Sequence, residues 1–485
     1  MVRPLIVDSF AGGGGASTGI ELALGRSPDI AINHDEAALA MHAANHPDTL
    51  HLSENIWQVD PFDVIDRRPI GLAWFSPDCK DFSKAKGGKP VQKNIRDLAW
   101  VVVRWARLRS PMKPRVIMVE NVEEFQQWGP LKGDEPDPDR RGETFRKWIR
   151  ALRGLGYKVE WREQRAHQFG APTIRKRLFI IARCDGEPIV WPDATHGKAD
   201  SADVQSGKLL PWRTAAECID WSLPCPSIFD TRQEILKKYG LRANRPLRPN
   251  TLERVAKGVK RYVLDSADPF IVHVQNASNP NGTNSIHEPL RTITASPKGG
   301  GMALVAAFMA QHNTGVVGHP VAKPLSTVTG RGTQQQLVAA HMMNMKGSAR
   351  SARSIEEPLA AITAGGTHAA QVCAFLTKYY DTNQAPELRE PFHTVTTKDR
   401  FSLVTVNVAG EPYVIYDIGM RMLTARELFR AQGFPDDYTI DLRHKNKPLT
   451  KTVQVEKCGN AVCPQNAAAN IRANCGFLME ERAAA

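Results

Sequence analysis

The sequence predicts an α/β protein, with a mostly parallel sheet, helices on both faces and a smaller β-rich region after it. Three observations predict this. Short apolar runs alternate with helix-compatible segments through the first part of the chain. A glycine-rich turn directly follows the first run. Further on, one strand-like phrase recurs four times.

Leu5-Ile-Val7 is a short apolar run that stops at Asp8. The turn Asp8-Ser-Phe10-Ala-Gly12-Gly-Gly14-Gly15-Ala-Ser17 follows and opens a helical pattern. Ile30-Ala-Ile32, Leu72-Ala-Trp-Phe75, Val116-Ile-Met-Val119 and Leu178-Phe-Ile-Ile-Ala182 are further runs. Most have helix-compatible segments between them, such as 97–108. That alternation is the pattern of a parallel sheet covered on both faces. Ligands of such sheets bind beyond the carboxyl ends of the strands, where most of the candidate residues below stand.

From about Thr195 the texture changes to tryptophan, proline and charge, read as connection plus helix. The repeat comes next: Pro289-Leu-Arg-Thr-Ile-Thr294, Pro324-Leu-Ser-Thr-Val-Thr329, Pro358-Leu-Ala-Ala-Ile-Thr363 and Pro391-Phe-His-Thr-Val-Thr396. Its prolines stand 35, 34 and 33 residues apart. Each copy is followed by a turn and a second run: Leu304-Val305, Leu337-Val338, Gln371-Val372 and Leu403-Val404. The period suits one strand-turn-strand unit per repeat. The turns carry Lys298, Arg331, His368, Lys398 and Arg400, which suit contacts to phosphates or a groove; solvated turn residues are the competing reading. Helical patterns return around 424–431 and 465–473.

At 485 residues, two or more domains are expected. The chain is 42% hydrophobic and 24% charged, a globular balance, and its apolar runs are too short to span a bilayer. The start Met-Val-Arg-Pro runs almost directly into a strand, so no signal peptide is expected. The formal net charge of +12 fits a polyanionic partner, or solubility alone. Eight scattered cysteines with no CxxC pair fit a reducing cytoplasm, and Cys458 and Cys463 lack a nearby histidine for zinc. No metal and no membrane association are expected.

Five segments carry chemistry. Alone, the glycine turn fits a nucleotide site or a plain tight turn, and it lacks the acid of a nicotinamide site. Ser76-Pro-Asp78-Cys79-Lys80-Asp-Phe82-Ser83 puts a cysteine at a strand end beside a lysine, where a thiolate could be stabilised; taken in isolation, a buried structural thiol is the stronger reading. Glu120-Asn121-Val122 puts a carboxylate at the sheet's mouth, as a functional group or a helix cap. Arg175-Lys-Arg177 is a basic cluster before a strand. Gly459-Asn460-Ala461-Val462, by itself, reads as a turn.

Taken in order, these segments resemble the DNA (cytosine-5) methyltransferase family of bacterial or phage type. Phe10, Gly12, Gly14 and Gly15 resemble its FxGxGG cofactor motif. Asp78-Cys79-Lys80-Asp81-Phe82-Ser83 resembles its PCQxFS loop, and Glu120-Asn121-Val122 is its ENV element unchanged. Leu152-Arg-Gly-Leu155-Gly156-Tyr157 resembles a further helix-to-strand element. Phe169-Gly170-Ala-Pro172-Thr173-Ile174-Arg175-Lys176-Arg177 resembles GVPQxRxR. The segment Arg421-Met-Leu423-Thr424-Ala-Arg426-Glu427 through Gln432-Gly433-Phe434-Pro435 resembles RxLTxRE…QGFP, and Cys458-Gly459-Asn460-Ala461-Val462 the late GNxV motif. The departures are Asp78 for proline, Lys80 for glutamine, Thr173 for glutamine, Asn33-His34 for an acid and an aromatic, and Asn55 for aspartate.

The resemblance implies a Rossmann-like S-adenosylmethionine-dependent methyltransferase sheet in residues 1–195. It also implies a target-recognition region with the four repeats in 196–410, and a C-terminal segment, 411–485, returning to complete the catalytic domain. It implies Cys79 as nucleophile on carbon 6 of a flipped-out cytosine, Glu120 on ring N3, Arg177 on O2, and Arg175 supporting the loop or a phosphate. S-adenosylmethionine falls to Phe10, Gly12, Gly14, Gly15, Asn33, His34, Asn55, Ser76, Asn460 and Val462. Lys80 and Ser83 join the repeat turns as DNA contacts. Double-stranded DNA is the expected partner of a monomer, with a cognate restriction endonuclease as a second. The alternatives are the same chemistry on RNA and a non-catalytic DNA-binding protein on this scaffold.

Overall fold

The computed structural model describes residues 2–78, 97–133, 135–220, 222–247, 270–273, 283–285, 302–311, 318–320, 324, 335–344, 376–378, 401–403, 405–408 and 411–479. They form two compact units. One comprises 1–218, 322–333 and 424–485; the other comprises 219–321 and 334–423.

The first unit is built on a seven-stranded sheet. Its strands are β1 (Leu5–Ser9), β2 (Ile30–Asn33), β3 (Leu50–Ser53), β4 (Ile70–Phe75), β5 (Val116–Asn121), β6 (Lys158–Arg165) and β7 (Lys176–Arg183), in the order β3-β2-β1-β4-β5-β7-β6. The first five run parallel. Strand β7 is antiparallel to both β5 and β6. Every residue of β1, β4 and β5 is buried, which is why these strands read as unbroken apolar runs. Strand β6, Lys-Val-Glu-Trp-Arg-Glu-Gln-Arg, alternates apolar and charged residues at the sheet edge, so no apolar run announces it.

Alternate residues of each strand point into two separate cores. Val7, Phe75, Val119 and Ile180 join Trp105 of α3 (Trp100–Ala106) and Trp148 of α4 (Glu143–Gly154) on one face. Ile6, Trp74, Met118 and Phe179 join Ile20 of α1 (Gly15–Leu24) and Ile471 of the C-terminal helix Pro464–Asn474 on the other. The result is a three-layer Rossmann-like α/β sandwich. Helix α2 (Glu36–Asn45) connects β2 to β3 and is capped by Asp35. Near the C-terminus come α5 (Ala425–Gln432), α6 (Lys451–Asn460) and α7, the helix Pro464–Asn474. Helix α6 was not legible in the sequence, where its end at Gly459-Asn460 reads as a turn.

The second unit carries a seven-stranded antiparallel sheet among its described residues. Met302–Gln311 and Gln335–Asn344, which hold the second runs of two repeats, pair with each other in the register Phe308↔Val338. The long strand Glu411–Met422 pairs next to Gln335–Asn344. Apart from Pro324, the proline-led halves of the repeats lie outside the described residues. So do Lys298, Arg331, His368, Lys398 and Arg400. Among the described residues no helix is long and apolar enough to cross a membrane, and no group of side chains is arranged to hold a metal ion.

Candidate active site at the strand ends

The first half of the site is the turn after β1. Phe10 takes a positive φ of 63°, and Gly12 and Gly14 follow at 54° and 88°. The amides of Phe10 and Ala11 both donate to the Ile32 carbonyl, at 2.9 and 3.2 Å, which lays the turn across the end of β2. The glycines do different jobs. A Cβ on Gly14 would collide with the Tyr438 hydroxyl, and one on Gly15 with the Val462 carbonyl. These two allow the C-terminal segment to close on the turn. Gly12 is different: its Cβ would meet only the Phe10 carbonyl, at 3.8 Å. The turn therefore presents open backbone at Gly12, at the strand end where a ligand of such a sheet would approach.

Asn33 and His34 leave β2 beside this turn. The Asn33 side-chain oxygen accepts from the Asp35 amide at 3.0 Å, a bond that does not use its NH2 group. Asn55 is exposed and accepts from the Trp57 amide at 3.1 Å. The Ser76 hydroxyl accepts from Trp74 Nε1 at 2.9 Å, and the Ser76 amide donates to Ser9 at 3.2 Å. Val462 is buried against Gly15, while Asn460 is exposed at the end of α6. These residues come from five segments, and all lie at carboxyl ends of strands or on the returning C-terminal segment.

The second half is charged. Glu120, at the end of β5, is 6% exposed, and its Oε1 lies 3.1 Å from Arg177 Nε. The antiparallel register Asn121↔Leu178 sets that diagonal pairing. Asn121 donates to the Pro77 carbonyl at 3.2 Å, fixing the chain two residues ahead of Cys79. Cys79, Lys80 and Ser83 lie outside the described residues. Arg175 is buried and donates from Nη1 to the Gly459 carbonyl at 3.0 Å, which ties β7's entry to the end of α6.

One cluster was missed in the sequence. Asp8 is fully buried at the end of β1, and burial pushes its carboxyl up to about 7, against a lowering by its bond with Ser17. The Ser17 hydroxyl donates to Asp8 Oδ2 at 2.6 Å. Its oxygen is then left to accept from His42 Nε2 at 2.8 Å, and His42 Nδ1 to accept from His51 Nε2 at 2.8 Å. Burial holds His42 well below the ordinary histidine value, with the neighbouring charges of His46 and His51 adding to it. Burial pushes His46 down to about 4. A polar relay thus runs beneath the glycine turn. Its only sequence signal was a polar residue at a strand end with histidines at 42 and 46, one helical turn apart.

The chain matches the family model for C-5 cytosine-specific DNA methylase over residues 5–211 and 318–475. It is 24% identical over 250 residues to the Type II methyltransferase M.AquIA of Picosynechococcus sp., covering 48% of this chain and 98% of that one. It is 25% identical over 457 residues to the Type II methyltransferase M.NlaIV of Neisseria lactamica, covering 91% and 93%. Against M.SacI of Streptomyces achromogenes, 24% identity covers 44% of this chain and 57% of that one. Among solved structures, the methyltransferase EhMeth of Entamoeba histolytica aligns over 99% of both chains at 12% identity, with a TM-score of 0.45.

Proposed function

This chain belongs to the C-5 cytosine-specific DNA methylase family and is thereby a DNA cytosine-5 methyltransferase, and from that premise we propose that it methylates a flipped-out cytosine of double-stranded DNA through a covalent bond to Cys79. The observation that carries the reading is the pairing of buried Glu120 with the part-buried Arg177 at the sheet's mouth, with Asn121 holding Pro77 just ahead of the cysteine.

Carbon 5 of cytosine is a poor nucleophile. When the Cys79 thiolate adds to carbon 6, a C–S bond forms and the electron pair of the ring double bond moves to carbon 5. A proton relayed from solvent through the Glu120 carboxyl group reaches ring N3, which draws off the charge as the thiolate adds. Arg177 holds the carboxylate and offers its remaining N–H groups to O2. After carbon 5 is methylated, a base or water takes its proton, the double bond re-forms and the thiolate departs. The target carbon is inaccessible in a stacked duplex, so the base must be flipped.

The cofactor we propose is S-adenosylmethionine, which supplies an electrophilic methyl group when bound. The open face at Gly12 fits it, flanked by Phe10, Asn33, His34 and Asn55, with Ser76 and Asn460 from neighbouring segments. Gly14, Gly15 and Val462 act indirectly in this reading, by closing the C-terminal segment on the turn. The repeats are the proposed reader of the DNA sequence, and the Type II names of the relatives support pairing with a cognate endonuclease.

DNA carrying 5-fluorocytosine tests the covalent step, because fluorine at carbon 5 blocks release of the enzyme. We expect a complex that survives denaturation with the wild-type chain and S-adenosylmethionine. A Cys79→Ala protein that still traps DNA would remove Cys79 from the mechanism.

A further inference from the structure

Lys457 has no role in the motifs above, yet its side chain sits among three of the segments assigned to the cofactor. It is 7% exposed. Its Cβ lies 3.2 Å from where a Cβ on Gly13 would stand, so it packs on the glycine turn. Its ammonium group pairs with the Asp35 carboxylate, and more loosely with Glu456 at 3.3 Å. Its own helix, α6, ends three residues later at Asn460.

Asp35 is itself tied into the turn after β2. Its Oδ1 accepts from the amides of Ala37 and Ala38, both at 3.0 Å, and its amide donates to the Asn33 side chain. Burial alone would raise the Asp35 carboxyl. The hydrogen bond from Lys457 outweighs this, together with the two helix amides and the Lys457 charge, and holds the group below the ordinary carboxylate range. Asp35 is therefore a helix cap at one oxygen and a lysine partner at the other.

We propose that Lys457 is a positioning residue for S-adenosylmethionine, locking the glycine turn, the Asn33–Asp35 turn and the Asn460 end of α6 into one frame. The proposal rests on the reading that this cleft takes that cofactor. Lys457 is buried while the Asp35 side chain is 34% exposed, so desolvating the ammonium offsets part of the Coulomb gain, and an apolar side chain would pack on Gly13 at little loss. What an apolar side chain cannot do is hold the Asp35 carboxylate in one direction, and with it the Asn33 amide.

Lys457→Met keeps the length and the packing on Gly13 and deletes the charge. We expect the dissociation constant of S-adenosylmethionine, measured by calorimetry, to rise about tenfold, the scale of one lost charge-assisted bond. The KM for the cofactor should rise with it, while the KM for DNA and turnover at saturating cofactor stay within about twofold. Lys457→Arg should restore most of the affinity. Asp35→Asn should reproduce the loss, and the double variant should lose no more than either single one. Wild-type cofactor affinity in Lys457→Met would overturn the proposal, as would a lower melting temperature with no change in affinity at 25 °C. A wild-type protein that does not bind S-adenosylmethionine would instead bring down the cofactor reading itself, and the proposal with it.

Discussion

Two carboxylates stand toward the carboxyl ends of β1 and β5, two strands of one sheet separated by β4, and the protein treats them differently. Glu120 closes β5 and faces the Arg177 guanidinium at 3.1 Å. Asp8, within β1, faces a serine hydroxyl; among the described residues its Oδ1, like Glu120 Oε1, makes no hydrogen bond, but no cation stands beside it. Both are nearly or fully buried. The difference is the partner. Glu120 has a guanidinium beside it, whereas a hydroxyl backed by neutral histidines compensates a buried charge only in part, and burial raises the Asp8 carboxyl to about 7. Residue type and position alike leave this open; the side chains supplied by other elements decide it.

The largest expected effect comes from breaking the compensated pair. Arg177→Ala should lower kcat/KM for methyl transfer by about 10²–10³ or more, as for the loss of a charge-stabilising group. It should also leave the Glu120 carboxylate buried without its cation, at a stability cost of about 3–5 kcal/mol. Glu120→Gln removes the charge but keeps the shape, so its activity should fall with a much smaller change in melting temperature. Equal destabilisation in both variants would refute the contrast between a charge and its partner.

The uncompensated carboxylate is tested by pH. In the unfolded chain an aspartate titrates near 3.9, whereas folded Asp8 keeps its proton up to about 7. Between those values the folded state binds a proton that the unfolded state has released. The contribution is therefore fully present below pH 4 and is lost as pH rises through 7. His42 and His46 act in the opposite sense: their folded values are depressed, so they cost stability as pH falls below about 6.5. Asp8→Asn removes only the first effect. It should be more stable than wild type at pH 8, by up to about 4 kcal/mol for a three-unit shift, with the gain shrinking toward zero near pH 4. Denaturant titrations from pH 5 to 8 measure this, and a constant difference across that range would sink the assignment.

The same contrast explains what was legible in advance. β1, β4, β5 and β7 are apolar runs, and the sequence shows them because burial on both faces demands unbroken hydrophobicity. Strand β6 was invisible because its outer face is charged, and α6 because its helical stretch ends in residues that read as a turn. Glu120, Arg177 and Gly12 were legible through short motifs. Asp8, Ser17, His42 and Lys457 were not, since their meaning lies in pairings across 9, 25 and 422 residues of chain that no local pattern encodes.

The smallest effect concerns the two asparagines proposed to line the cofactor, and it separates a direct contact from a held turn. Asn33 spends its side-chain oxygen on the Asp35 amide, and Asn55 spends its own on the Trp57 amide. If each also bonds S-adenosylmethionine through what remains, its replacement by alanine should weaken binding by about 1 kcal/mol, the net value of a neutral hydrogen bond. The two should differ in their coupling. Asn33 reaches Asp35, and through it Lys457, so Asn33→Ala and Lys457→Met should be less than additive in cofactor affinity. Asn55 bonds only within its own short turn among the described residues, so Asn55→Ala and Lys457→Met should add. Calorimetry on the four proteins and two double variants reads both points. Unchanged affinity in both single asparagine variants would take these residues out of the pocket, and additivity in the Asn33 pair would cut the link between that turn and α6.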